Sequence, residues 1–235
     1  MTPNRNARGF TLIEVLVALA VMALLAVLSW RGIDGLSRAR DQARVRGDEV
    51  LALQAGLAQW GVDLDAITER PHTTPIDWDG RALRITRRGN GDPTDGLRVA
   101  AWSRRTLADG NSWWLRWDSG PLVSVAQWNQ AWNQAASWAQ NPGEAERRRE
   151  VPVARADNWQ IFYYRNNAWS NPLSSDDSTS ASATAAAQTI GSTTAVTVSS
   201  IPYGVRLVLS LSPGQAFAGN LTRDWVAPTV TPSQQ

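Results

Sequence analysis

No proline occurs between Pro3 and Pro71, and within that window the 21 residues from Phe10 to Trp30 are apolar except for Thr11, Glu14 and Ser29. As an α-helix this run is roughly 30 Å long, the hydrocarbon thickness of a bilayer. Nothing in the window forbids the helix from running on. Gly32, Gly35, Gly47, Gly56 and Gly61 only soften it. The window is therefore expected to form a long rod whose first half needs lipid, or other apolar surface, around it. Any globular part has to be built from the residues beyond that rod.

The rod changes character along its length. Arg31–Asp48 is polar nearly all round, as expected of a helix leaving headgroups for water. Val50, Leu53, Leu57, Trp60, Leu64 and Ile67 then recur at steps of three and four, a stripe expected to pack on a folded domain. Five arginines (Arg31, Arg38, Arg40, Arg44, Arg46) follow the apolar run and two precede it. Taken alone, that bias would put the C-terminal side in the cytoplasm.

Glu14 is the anomaly of the apolar run. A carboxylate in lipid costs about 2.5–3.5 kcal/mol at the helix centre and less near an end, so it calls for a partner. The α-amino group that cleavage after Gly9 would create on Phe10 is one such partner, a cation with a pKa near 8. Within one helix it lies roughly 6 Å along the axis from Glu14. Arg8-Gly9-Phe10-Thr11-Leu12-Ile13-Glu14 resembles the leader of type IV prepilins and type II secretion pseudopilins. The resemblance implies removal of residues 1–9 by a prepilin peptidase, N-methylation of Phe10, and Glu14 as the assembly carboxylate. It also implies an outward C-terminal domain, against the arginine count. An ordinary secretory signal cut near Ala18–Ala20 or Ala23 is the competing reading. It leaves Glu14 without a role.

Composition narrows the remainder. The 23 basic residues are all arginine, set against 21 acidic ones, and net charge is +2. Loss of Arg5 and Arg8 with the leader would balance the side chains, which argues against a nucleic-acid partner. There is no cysteine, so disulfides, thiolate metal sites and a cysteine nucleophile are excluded.

Beyond Pro71 the texture is β. Leu83–Thr86 and Leu97–Trp102 alternate around the turn cluster 89–96. Trp113–Trp117 is a further strand, with Leu122–Ala126 read as its continuation. Gln127–Gln140 reads as a short helix or an irregular excursion, and Glu144–Glu150 as a solvated charged run. Trp159–Tyr164 and Tyr203–Leu211 are the last strands. Ser174–Ser200, rich in Ser, Thr and Ala, has the composition of a mobile insertion, and Pro228–Gln235 that of a tail. The expected organisation is thus leader 1–9, transmembrane helix 10–30, helical continuation 31–69, and a β-rich domain over 70–227 with insertions near 120–150 and 174–200.

Three downstream segments, Trp30-Arg31-Gly32-Ile33-Asp34-Gly35-Leu36, Ile161–Arg165 with Trp169-Ser170, and Ile201–Leu209, are similar in kind and order to minor pseudopilin J of type II secretion. That resemblance implies an α+β fold: a long N-terminal helix, transmembrane in its first half, packed against a domain of two antiparallel β-sheets. It implies a single-pass inner-membrane protein with its domain in the periplasm. The implied partners are the I-, K- and H-like pseudopilins, the prepilin peptidase and inner-membrane lipid. No cofactor, small-molecule substrate or enzyme activity is implied. A minor pilin of the PilW kind, initiating type IV pili, is the alternative; those commonly carry a C-terminal cysteine pair, absent here.

Other chemistry is sparse. His72 is the sole histidine, in a loop-like segment. Asp63 with Asp65, and Asp77 with Asp79, are close acidic pairs that bracket apolar positions and are expected to point outward; Asp176-Asp177 lies in the serine-rich stretch. Calcium at these pairs is weakly motivated. Of the 13 tryptophans, Trp113, Trp114, Trp117, Trp128, Trp132 and Trp138 form a dense set. It reads as core plus partner interface, or as a platform for sugar rings.

Overall fold

A computed structural model describes residues 10–89, 96–174 and 201–228. The chain divides into two compact units, residues 1–48 and 49–235. The leader, the turn cluster over residues 90–95, most of the serine-rich stretch and the tail beyond Pro228 lie outside the described residues.

In the first unit every described residue up to Arg46 is helical or at the helix start, and exposed. This is the opening of α1, Leu12–Asp65, the 54-residue helix that the proline-free window predicts. Its apolar side chains in this unit are exposed, Leu12 at 81% and Leu28 at 63%. The helix is long and apolar enough to cross a membrane once.

The second unit opens with the last turns of α1, where Leu53, Gly56, Trp60, Asp63 and Leu64 are buried. Eight antiparallel strands follow: β1 (Ile76–Trp78), β2 (Ala82–Arg88), β3 (Leu97–Thr106), β4 (Ser112–Asp118), β5 (Glu150–Arg165), β6 (Ala168–Ser170), β7 (Gly204–Leu211) and β8 (Gly219–Val226). The path runs β1-β2-β3-β4-β5-β7-β8, with β6 paired to β5. The sixteen-residue β5 joins two sheets. Its first part pairs with β4 and its second with β7, with register shifts near Trp114/Leu115 and Ala156/Asn158. The expectation of two antiparallel sheets behind a long helix is met, with one strand common to both.

Strands β2 to β4 are covered on both faces, which explains a buried run such as Val99–Ser103 that the alternating pattern does not predict. One face (Leu83, Ile85, Ala100, Trp102, Trp114) joins Leu53, Trp60 and Leu64 of α1 in the main core. The other (Ala82, Val99, Ala101, Leu115, Trp117) packs under α2, Val125–Gln140.

Two expectations are corrected, and one left open between helix and irregular chain is decided for helix. Leu122–Ala126 does not extend the sheet: Leu122 makes one bridge to Leu97, and Ser124 then caps α2 by accepting from the Gln127 amide at 3.2 Å. Trp128, Ala131, Ala135 and Trp138 repeat at helical spacing and bury, so residues 127–140 are helix. Within the charged run, Glu144–Arg147 forms the short α3, but Glu150 enters β5 and is bonded by Arg105 and, at 2.7 Å, by the Trp138 indole. Its carboxylate is an internal tie rather than a solvated charge.

Candidate functional site

At the head of α1 Thr11 stands in the N-cap position, its carbonyl accepting the first helical bond from Val15 at 3.3 Å. The Thr11 amide and hydroxyl both donate to one Glu14 oxygen at 2.9 Å, and the Glu14 amide reaches back to the Thr11 hydroxyl at 3.4 Å. This reciprocal arrangement is a capping box, in which side chains satisfy amides that a helix start leaves unbonded. The helix dipole favours an anion in this first turn as well. Glu14 thus has a local partner within its own segment, and the spacing Thr11-x-x-Glu14 could have disclosed it. Phe10 precedes the cap, 87% exposed. Gly9 lies outside the described residues. What this end of the chain offers chemically is a carboxylate near the top of an apolar rod, an adjacent peptide bond, and no reactive group beyond them.

Inside the second unit the sequence reading fails at Asp63. Its side chain is fully buried rather than turned outward. Five donors converge on it: Arg87 Nη1 at 2.6 Å, Arg116 Nε at 2.8 Å and Nη2 at 2.9 Å, the Trp102 indole at 2.9 Å, and Gln59 Nε2 at 2.9 Å. Arg116 also reaches Asp118 at 3.1 Å, and Arg98 binds Asp118 at 2.9 Å. Burial opposes the charged form of Arg116, yet the hydrogen bonds and charge of Asp63, with Asp118 behind them, raise its pKa above the ordinary value. A carboxylate saturated by donors has no lone pair to spare for a substrate proton. The cluster ties α1 to β2, β3 and β4. The remaining acids are also engaged: Asp65 accepts from the Trp225 indole at 2.8 Å, Asp77 pairs with Arg84, and Asp79 accepts the amides of Arg81 and Ala82. His72 is exposed, in a left-handed backbone conformation. Asp176 and Asp177 lie outside the described residues.

The tryptophan set is mostly interior. Trp114, Trp117, Trp128 and Trp138 are at most 5% exposed, and Trp113 and Trp132 are half-buried. Trp60, Trp102 and Trp114 form one aromatic knot, with centroids 5.5 Å apart for the first pair and 4.4 Å for the stacked second. Trp132 stacks on Trp128 at 5.1 Å under the Arg84 guanidinium. The four buried rings, Trp114, Trp117, Trp128 and Trp138, present no open face to a sugar. A cleft of about 300 Å³ beside α2 is walled by Gln127, Gln130, Gln134, Glu146 and Arg149, but its one indole, Trp117, is 1% exposed.

Residues 4–30 match the family model described as the prokaryotic N-terminal methylation motif. The structure is similar to a chain solved in "The Crystal Structure of the GspK-GspI-GspJ complex from enterotoxigenic Escherichia coli Type 2 Secretion System". That likeness has 15% identity and a TM-score of 0.43, over 76% of this chain and 96% of the other.

Proposed function

We propose that this chain is a minor pseudopilin of type II secretion, J-like in kind, and a structural element of the pseudopilus tip rather than an enzyme. On this reading a prepilin peptidase cuts between Gly9 and Phe10, and the Phe10 amine is methylated. Residues 10–30 hold the protein in the inner membrane, 31–69 carry the helix onward, and the domain over 70–227 stands in the periplasm. Glu14 neutralises the new amine of its own or a neighbouring helix, and the I-, K- and H-like pseudopilins are the partners.

One observation carries the proposal: the helix that starts at Leu12, inside the methylation motif matched over residues 4–30, continues to Asp65, and its last turns are built into a β-rich unit. An anchor and a globular unit sharing one helix, behind a leader-like sequence, suit a subunit that leaves the membrane to join a filament. The interior acids are consumed by structural bonds, which suits a part without catalysis. The motif alone would equally suit a type IV minor pilin. The absence of cysteine and the Trp30–Leu36 segment favour the type II assignment.

Two measurements test it. Mass spectrometry of the protein from its native membrane is expected to find a mature chain starting at methylated Phe10; an intact start, or a cut beyond Ala18, refutes the reading. Co-purification of the full chain is expected to bring the I-like and K-like proteins of the same organism. Recovery of type IV minor pilins instead would assign it to the other system.

A further inference from the structure

β8 pairs with β7 on one side and with no strand on the other among the described residues. Its register sets Gly204 opposite Val226 and Leu211 opposite Gly219, and the Ala227 amide donates to the Tyr203 carbonyl at 2.9 Å. Hydrogen-bonded pairs alternate along an antiparallel ladder. With Tyr203 and Ala227 a bonded pair, Trp225, Arg223 and Leu221 turn their backbone groups toward β7. Val226, Asp224, Thr222 and Asn220 turn theirs outward. The result is an eight-residue edge without proline, a template onto which another strand can add.

The side chains say which strand. Asp224 is already held by both arms of Arg206, at 2.7 Å each. Arg223 is exposed and has no ion-pair partner among the described residues. A second copy pairing antiparallel through all four outward residues sets Asn220 opposite Val226 and Thr222 opposite Asp224. The same register brings Arg223 directly against Arg223 of that copy. Like charges so placed destabilise a sheet pair. The edge therefore disfavours itself and favours a strand with a carboxylate at that position. Val226, 64% exposed, puts an apolar side chain at one end of the edge.

We propose that β8 is a docking edge, and that its occupant is an extended strand of another minor pseudopilin carrying an acidic residue opposite Arg223. Main-chain bonds supply the affinity and the charge pair sets the register. The inference rests on the tip-complex reading above and names how one partner is held.

The test uses the full chain in detergent, alone and with the I-like and K-like proteins, followed by hydrogen exchange over residues 219–226. The outward amides are expected to exchange rapidly in the isolated chain and to gain protection in the complex. Thr222→Pro removes an outward amide without touching the β7 ladder. It is expected to weaken the complex about tenfold or more while the melting temperature holds. Arg223→Glu is expected to do the same, and it decides the matter should the proline variant fail to fold. A complex that forms with the edge still exchanging rapidly overturns the docking edge and leaves the tip reading intact. Protection already present in the isolated chain overturns it too, since the edge is then occupied by this chain or by a second copy. Failure to form any complex removes both.

Discussion

Asp63→Asn is the sharpest perturbation of the interior. The substitution keeps the volume, but it removes the charge facing Arg87 and Arg116, whose side chains are 4% and 15% exposed. It also turns one of two accepting oxygens into a donor, aimed among donors from Arg87, Arg116, Trp102 and Gln59. Removing one partner from a buried ion pair costs about 3–5 kcal/mol, because a buried charge loses its nearest countercharge, here with Asp118 still 3.1 Å from Arg116. For a domain of this size each kcal/mol shifts the melting temperature by about 2–4 °C, so a drop of about 6–20 °C is expected. The Trp60–Trp102–Trp114 knot is expected to give a near-ultraviolet circular dichroism signal that is lost on unfolding. The triple variant Asp63→Leu, Arg87→Met, Arg116→Met is expected to recover most of the loss, since well-packed apolar residues replace buried ion pairs at little cost. A melting temperature for Asp63→Asn within about 2 °C of the parent, below the smallest shift expected, would refute the assignment of this cluster as the tie between α1 and the sheet.

Two glycines of α1 are expected to respond with opposite signs. A Cβ on Gly56 would sit 2.2 Å from Val153 Cγ1, so Gly56→Ala should destabilise by about 1–3 kcal/mol despite its better helix propensity. Gly61 has nothing within 4 Å, and Gly61→Ala should stabilise by about 0.5–1 kcal/mol, read in the same thermal melts. Acid titration should reveal Asp224, whose pKa is lowered chiefly by the Arg206 hydrogen bonds, with burial opposing them and the Arg206 charge adding to them. A depressed folded pKa gives stability that is present above the ordinary carboxylate value and lost as pH falls through the folded one. Asp224→Asn should therefore lower stability slightly near neutrality and not at about pH 2, and added salt should shrink the difference; equal losses at both pH values would contradict it.

Much of the fold is readable where a period meets a deep core. Leu53, Trp60 and Leu64 repeat at helical spacing and all bury. Val205, Leu207 and Leu209 alternate, and each is fully buried. β1 escapes the sequence because Ile76-Asp77-Trp78 is too short to show a period, and β8 because an edge strand buries little besides Trp225. α2 is poor in charge and rich in Trp, Gln, Asn and Ala, so its polar face lacks contrast. The capping pattern Ser124-x-x-Gln127 is the better signal. Asp63 is invisible for another reason: its guanidinium partners lie 24 and 53 residues downstream, and no local pattern encodes that meeting. The serine-rich stretch and the tail beyond Pro228 fall outside the described residues.

The capping box at the head of α1 separates two roles that the sequence merges in Glu14. In the uncut chain the Phe10 nitrogen is an uncharged amide, and among the described residues the Glu14 carboxylate is held by Thr11. On the proposed reading cleavage adds a cation with a pKa near 8 beside it, a charge partner for Glu14. Thr11→Ala removes the hydroxyl and keeps the acid, so it costs the helix start about 1 kcal/mol and leaves the amine contact intact. Glu14→Gln keeps a hydrogen-bonding side chain and loses the charge. If the charge matters for assembly, secretion and pseudopilus formation in cells should survive Thr11→Ala and fail in Glu14→Gln, with both proteins cleaved and membrane-bound to parental levels. Equal loss in the two variants would mean that Glu14 serves the helix start and nothing more, and the assembly role assigned to it would fall.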